Sequence, residues 1–548
     1  MTSVRPREPC GIQLPTSSAR VGVCCLAWLV FGGWCHAAPC PNIIMVVVDD
    51  LPDEMCNFTG GNPARNLTPN IDRLAAEGIV LPAMHSPSPI CTPSRFAILT
   101  GRYPSRSTSA GFQREAERFG QSVVRFDTLI RPTDDTLPRR LQRAGYATAA
   151  FGKNHVVEAS GYQRLPYTAS IDTAAVRQLL ARNAGALREA FCSIGFDWAD
   201  RLYCGNPDAD GIRALAVHNQ DWITEGALEF LHRSQDRPFF LYVATTVPHG
   251  PFDDERSWNA DRRMTPEGIL PEPPLLHSPA DNLAARTAAA GLAGGRRRTL
   301  LWLDDAIGAM MAAIDCSGHR DDTILVFVSD HGTRAKGSLY ARGTNTPCFL
   351  WRSGGFGRHQ LSAPASLIDM APTLLDWAGI TIEPAAMDGL SLVPAIEGQA
   401  EEVRDSLYFE LGFTRAVQRD GLKYLAVRYP PEVRTMPADE RSRILEANNA
   451  WLAMRGRPIA TTDPLAPFSH LSLIPGGNDA ERVSMDGHPA YFEPDQLYDL
   501  RTDPNEQRNL YDDPAYADHR VKLRRLLQGY VSDLADRFGE FGTPEFRP

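Results

Sequence analysis

Cys91-Thr92-Pro93-Ser94-Arg95, running on as Phe96-Ala97-Ile98-Leu99-Thr100-Gly101-Arg102, sets a thiol, hydroxyls and a guanidinium at the start of an apolar helical run. Its grammar places Thr92 as an N-cap and Pro93 at the first helical position, where a missing N–H costs nothing. Cys91 then lies at the helix mouth, where unpaired backbone N–H groups attract an anion. Arg95, four residues on, returns to the same face with a forked cation. A nucleophile and two kinds of anion-binding group thus converge on a spot the size of a tetrahedral oxyanion. A second set is acidic: Asp49-Asp50 and Asp330-His331 each follow an apolar run. Asp49, Asp50 and Asp330 are hard oxygen donors suited to Ca²⁺ or Mg²⁺. The remaining candidates are Lys153 and His155 in Gly152-Lys153-Asn154-His155, and His249 in Pro248-His249-Gly250-Pro251.

The elements that must position these groups are strands. Asn42 to Val48 is a continuous β-branched run, as in a strand buried on both faces of a parallel sheet. Adjacent carboxylates at its carboxyl end are costly unless a cation or donors receive them, and this is where open α/β sheets place ligands. Tyr146 to Phe151, Pro238 to Ala244 and Thr323 to Val328 read as three more buried strands, leading to Lys153/His155, His249 and Asp330-His331. Four strands ending in charged or imidazole groups predict one site at one edge of one sheet. Helices are predicted from Thr68-Pro69 to Gly78, from Leu137 to Gly145, from Thr299 to about Ile314 and from Ser366 through Trp377. Residues Ala159 to Asp221 read as an insertion covering the site, and Phe252 to Arg298 as a long loop.

Cys-x-Pro-Ser-Arg followed by Leu-Thr-Gly resembles the signature of the type I sulfatases, members of the alkaline phosphatase-like superfamily. Gly-Lys-x-His at 152–155 is similar to the family's motif, although Asn154, Val156 and Val157 replace its usual neighbours. The resemblance runs from Asn42 to about Leu534 and implies an α/β fold, a large mostly parallel sheet flanked by helices, with a smaller C-terminal α+β domain. It implies that Cys91 is converted to formylglycine by a formylglycine-generating enzyme. One hydroxyl of the hydrated aldehyde would attack sulfur and the other would later expel sulfate. By the same resemblance Asp49, Asp50, Asp330, His331 and an oxygen of modified Cys91 hold one divalent cation, Ca²⁺ before Mg²⁺. His331 stands where the family has Asn or His. Arg95 and Lys153 would hold the hydrate and Asp330 would take the nucleophile's proton. His155 would take that of the second hydroxyl, and His249 with Lys336 would serve the leaving oxygen. Lys336 matches the family's lysine at a short spacing, with Arg334 and Arg342 as alternatives. The substrate implied is a sulfated small molecule or glycan. The competing readings are a phosphonate or phosphate ester hydrolase of the same superfamily, and a secreted binding protein with an unmodified Cys91.

The rest of the chain bounds this reading. With 548 residues, 43% of them hydrophobic and 22% charged, there is ample length for a large core. A net charge of −10 gives no electrostatic reason for nucleic acid as a partner. Arg296-Arg297-Arg298 reads as a solvated helix face. Val21 to Trp34, after Arg20 and before Cys35-His36-Ala37-Ala38, predicts a signal peptide over residues 1–37 and hence an exported protein, periplasmic, secreted or lysosomal by host. The run is short of a bilayer span, so no stable membrane segment is expected. Beyond the leader and Cys91, six cysteines permit up to three disulfides, with Cys192 and Cys204 close enough in sequence for a local staple. Asn57-Phe58-Thr59 and Asn66-Leu67-Thr68 fit the N-glycosylation pattern. The organisation predicted is a catalytic domain over 38–400 and a smaller domain over 401–548. The latter has strands at Ser406 to Leu411 and Leu422 to Val427, a family-like Glu493 to Leu500 segment with Asp503-Pro504 and Asn509-Leu510 beyond it, and a last helix from Asp518 to Phe538.

Overall fold

Asn42–Val48 is buried along its whole length and sits in the middle of a seven-stranded sheet. The computed structural model describes residues 40–541, apart from 234–235, 251–255, 276–279, 292–295, 384, 432–434, 535 and most of 455–486. The leader expected over residues 1–37 lies outside the described residues. The strand order is Ile79–Val80, Cys348–Arg352, Thr323–Ser329, Asn42–Val48, Phe239–Ala244, Ala147–Lys153, Trp198–Tyr203. Only Cys348–Arg352 runs against the rest, so the sheet is mostly parallel, as expected.

Register decides where the strands stop. Val48 lies opposite Ser329, Val47 opposite Ala244, Gly152 opposite Ala244, and Lys153 opposite Tyr203. The carboxyl ends of five parallel strands are therefore level, and the residues that follow them share one edge. Between Phe151 and Gly152 the pairing skips Arg201, so the bulge lies in the neighbouring strand Trp198–Tyr203 and bends that strand near its end. Gly152 has φ +95°, and a Cβ there would meet the Ala244 carbonyl oxygen at 1.9 Å, so no other residue fits.

Both faces of the sheet are covered. Helices Pro69–Glu77, Gln220–His232 and Arg296–Ser317 bury Leu74, Ile223, Phe230 and Ile307 against one face. Helices Cys91–Thr100, Leu137–Arg143, Ala174–Ser193 and Met370–Trp377 bury Phe96, Leu141, Phe191 and Leu374 against the other.

Two expectations need correcting. The Ala159 to Asp221 segment is not merely an insertion, because it supplies the 20-residue helix Ala174–Ser193 and the edge strand Trp198–Tyr203. Its strand alternates poorly, WADRLY, because an edge strand is partly exposed, and that hid it. The long loop after Phe252 contains helices Arg256–Asn259 and Ala280–Ala289, and the next helix starts at Arg296. The Arg297 side chain there donates to the Arg65 carbonyl, as a helix-face residue would.

A separate antiparallel sheet follows, in the order Ser406–Leu411, Thr414–Arg419, Leu422–Val427, Asp495–Asp499. Thr414–Arg419 was not legible as a strand. Helix Ala517–Asp533 packs on this sheet through Leu523, Leu527 and Val531. The same core takes in Ala97 and Tyr103 at the Cys91 helix, and a neighbouring cluster joins Ile90, Leu339 and Tyr340 to Leu407 and Phe409. The smaller sheet is thus packed directly behind the elements that carry Cys91 and Lys336.

Both asparagines of the glycosylation patterns are used inside the fold. Asn57 donates to Asp72 at 2.8 Å, and buried Asn66 donates to the Glu54 carbonyl at 3.0 Å. Cys56 and Cys348 are buried and Cys40 and Cys316 exposed, and all four are free thiols. Cys192 and Cys204 both pack half-buried against the same core. No helix among the described residues is long and apolar enough to cross a membrane.

Candidate active site

The Cys91 helix begins two residues earlier than its grammar suggests. It spans Cys91–Thr100 with Ile90 at the N-cap, and its first hydrogen bond runs from Ser94 N to the Ile90 carbonyl. Thr92 is therefore not the cap. Its hydroxyl instead donates to the His155 carbonyl at 2.7 Å, tying the helix start to the loop after the Lys153 strand. That loop needs the tie, because His155 has φ +56°, a conformation costly for a residue with a Cβ. Asp50 is held in the same left-handed region, also at φ +56°, its N–H donating to Asp330 Oδ1 at 3.1 Å. Two strained non-glycine residues at one sheet edge show that the surrounding structure dictates their positions.

Cys91 is one of four neighbouring groups able to ligate a metal. Asp50, Cys91, Asp330 and His331 are all buried and offer one atom each within 4.8 Å of one another. His331 Nε2 lies 3.5 Å from Cys91 Sγ and 3.1 Å from Asp50 Oδ1. Its Nδ1 faces the Gly332 carbonyl at 2.8 Å, which leaves Nε2 for the cluster. Asp49 is not in that group; its carboxylate faces two cations, with Lys153 Nζ reaching its two oxygens at 2.7 and 2.8 Å and Arg95 Nη2 reaching Oδ1 at 3.1 Å. Arg95 Nη2 also donates to Asp330 Oδ2 at 3.0 Å, and so bridges the two strand ends.

Lys336 joins the site outright. Its Nζ lies 2.7 Å from both oxygens of Asp50 and 4.0 Å from Cys91 Sγ. The alternatives do not: Arg334 pairs at 3.2 Å with exposed Glu54, and Arg342 is itself exposed. His249 Nε2 is 3.4 Å from Asp50 Oδ2.

One residue of this site had no counterpart in the sequence reading. Asn206, three positions beyond Trp198–Tyr203, lies with Oδ1 2.5 Å from Lys153 Nζ and Nδ2 3.2 Å from His249 Nε2. The amide orientation follows from the network. An ammonium only donates, so Oδ1 must face it, and Nδ2–H must then face an accepting Nε2. His249 Nδ1–H in turn donates to the Gly250 carbonyl at 2.8 Å. The only signal was an Asn-Pro turn after a strand that was itself missed.

Electrostatics follow from this packing. Burial pushes Asp49 up, but Lys153 and Arg95 outweigh it and hold the carboxyl well below the usual range. For Asp50, likewise, Lys336 and His331 overcome burial. Asp330 goes the other way: burial outweighs His331 and Arg95 and raises it to about 6. Burial also raises the Cys91 thiol, yet Lys153 and Lys336 bring it down to about 6. His331 is raised to about 9 by Asp330 and Asp50 against the effect of burial. His155 is held well below its ordinary value, first by burial and then by Lys153, and so stays neutral. Its ring stacks on Phe126, with centroids 5.2 Å apart.

Residues 41–380 match the sulfatase family. The chain belongs to that family. Human arylsulfatase A is 27% identical over 534 aligned residues, covering 91% of this chain and 89% of the human protein. Human N-acetylgalactosamine-6-sulfatase is 26% identical over 388 residues, 65% of this chain and 66% of its own. Among solved structures, a protein of Bacteroides thetaiotaomicron described under the metabolism of multiple glycosaminoglycans superposes with a TM-score of 0.58 at 20% identity, covering 90% of this chain and all of that one. The phosphonate monoester hydrolase of Agrobacterium radiobacter gives 0.54 at 17% identity, covering 91% and 97%. These structures establish the alkaline phosphatase-like fold. With the family match and the named sulfatase relatives, the chain is a sulfatase, a hydrolase of sulfate esters.

Proposed function

We propose that this sulfatase cleaves sulfate monoesters of a carbohydrate through a formylglycine made from Cys91, with one divalent cation, and that it works after export. The observation that carries the reading is the placement of Cys91 Sγ 3.5 Å from His331 Nε2 and 4.0 Å from Lys336 Nζ, among strand-end carboxylates. The donor set fits a hard cation. Asp50 and Asp330 give carboxylate oxygens, a formylglycine oxygen would replace the soft Sγ, and His331 adds one nitrogen, with Asp49 alongside. Ca²⁺ is the first choice and Mg²⁺ the second. Bound there, the ion would neutralise carboxylates and polarise a sulfuryl oxygen.

The hydrated aldehyde would supply the attacking oxygen and a route for releasing sulfate. The other residues then have roles set by their contacts. Arg95 fixes Asp49 and Asp330 relative to each other, so that the Asp330 carboxylate stands close to position 91 and can take a proton there. Lys153 keeps Asp49 ionised and, through Asn206, orients His249. Lys336 and His249 both touch Asp50 and flank the place where negative charge would grow on a leaving oxygen. His155, whose carbonyl is tied to Thr92 next to Cys91, is the residue assigned to accept the second hydroxyl's proton. The N–H groups of Cys91 and Thr92, at an uncapped helix start, add donors for a sulfuryl oxygen.

Two measurements test this. Peptide mass spectrometry of protein matured with the converting enzyme should find an aldehyde in place of the Cys91 thiol. An intact thiol in fully active protein would overturn the nucleophile. A matched aryl sulfate and aryl phosphate should then give the higher kcat/KM for the sulfate. A higher value for the phosphate, or for a phosphonate ester, would transfer the chain to the competing hydrolase reading.

A further inference from the structure

The family-like segment around Asp503-Pro504 and Asn509-Leu510 has no place in the chemistry above, yet it is elaborately fixed. The Asp503 carboxylate caps Gln507 N and Arg508 N at 2.7 and 2.8 Å, and Asn509 Oδ1 accepts from Leu497 N and Tyr511 N at 2.9 and 3.0 Å. Between them Glu506 is held at φ +55°, a left-handed backbone that its side chain disfavours. Its carboxylate points inward and is 1% exposed. Glu506 Oε2 accepts the Ala341 backbone N–H at 2.6 Å, and Oε1 lies 3.2 Å from the Nζ of Lys423, which is fully buried. A buried ion pair on a strained backbone is a poor way to gain stability, since well-packed apolar residues would do as well or better. Its cost points to what it holds.

What it holds is the turn that follows Lys336. Ala341 opens the short Ala341–Thr344 helix, five residues beyond the site lysine. Tyr340, just before it, donates from its hydroxyl to Gln496 at 2.9 Å, on the adjacent strand of the smaller sheet. At the other end of the loop Gly337 N donates to the Pro89 carbonyl, two residues before Cys91. Lys336 thus sits on a loop anchored to the Cys91 segment on one side and to the Lys423–Glu506 pair on the other.

We infer that Glu506, with Lys423, is a positioning residue for Lys336, so that the smaller sheet acts in catalysis by fixing where the Lys336 ammonium meets Asp50 and position 91. This rests on the reading of Lys336 as a group that serves the leaving oxygen. Glu506 touches no reacting atom itself.

The test is Glu506→Asp in the full-length matured enzyme, which keeps the charge opposite Lys423 but shortens the reach to Ala341 N. Glu506→Ala is the more severe companion. Amide exchange over residues 336–344 should become about tenfold faster, since a lost hydrogen bond to a charged acceptor is worth roughly that much or more. Exchange in strands Ser406–Leu411 and Leu422–Val427 should hold. The kcat for an aryl sulfate should fall about tenfold with KM little changed, and in a Lys336→Arg background the same Glu506→Asp change should cost less than threefold. Unchanged loop exchange, a loosened loop with full kcat, or an equal loss in both backgrounds would each overturn the inference. Failure of the sulfatase mechanism would show separately, as no sulfate release by the unsubstituted enzyme.

Discussion

Asn206→Ala is the most informative single change at this site, because it removes no proposed catalytic group and yet touches two of them. The Asn206 side chain gives one hydrogen bond at 2.5 Å to the Lys153 ammonium and one at 3.2 Å to His249 Nε2. A hydrogen bond to a charged group contributes roughly 1.5–3 kcal/mol and a neutral one about 1 kcal/mol. If both are in force as charge develops, their loss adds about 2.5–4 kcal/mol to the barrier. At about 1.4 kcal/mol per decade, that is about two to three decades in kcat/KM. Asn206 is only partly buried, so the fold should tolerate the change. The assay is steady-state hydrolysis of an aryl sulfate by matured protein, alongside a melting curve. Asn206→Asp separates the two halves, since it retains an oxygen for Lys153 but offers His249 no donor, and it should recover part of the loss. A kcat/KM for Asn206→Ala within threefold of the unsubstituted enzyme, at equal maturation, would show that the Lys153–Asn206–His249 chain does not matter to turnover.

Two further expectations concern stability. Removing the cation by chelation should lower the melting temperature as well as activity, by about 2.7 kcal/mol if the ion had been present at a hundred times its dissociation constant. Ca²⁺ or Mg²⁺ should restore both, whereas metal-free protein with full activity and an unchanged melting temperature would rule out the Asp50, Asp330 and His331 centre. Glu410 in the smaller sheet is fully buried, accepts Ser105 N at 2.7 Å and is raised by burial, against the pull of Arg415, to about 7 from an ordinary 4.5. The folded protein therefore holds this proton more tightly than the unfolded chain. The associated stability is full below about pH 4.5 and is lost as pH rises through about 7, a difference of about 3 kcal/mol. Glu410→Gln should flatten the fall of melting temperature between pH 5 and 8, and a slope unchanged from that of the parent would refute the assignment.

Much of this site was legible before any coordinates. Cys91, Arg95, Asp49, Asp50 and Asp330 are readable because each lies within a few residues of a strong local signal, a buried β-branched run or a helix start. Lys153, His155, His249 and Lys336 needed the family likeness as well, since a lysine or histidine after a strand has no local meaning of its own. Thr92 shows the limit of local grammar. A threonine before proline looks like a cap, but a capping hydroxyl and one that holds the His155 carbonyl have the same sequence context, and the neighbouring loop selected between them.

What the sequence by itself determined is the four buried central strands and the chemical kinds gathered at their ends, because periodicity and strand termini are properties of consecutive residues. Only the tertiary structure decided the rest. Level strand ends, Val48 opposite Ser329 and Val47 opposite Ala244, come from register, which depends on partners some 200 to 280 residues away. Asn206 arrives from an edge strand too polar to announce itself. Lys336, ambiguous among three cations by spacing, is singled out by a 2.7 Å contact with Asp50. Glu506 reaches the site loop from 165 residues downstream. Each of these is a pairing between distant segments, and the energy that selects it resides in burial and charge, which no window of neighbouring residues contains.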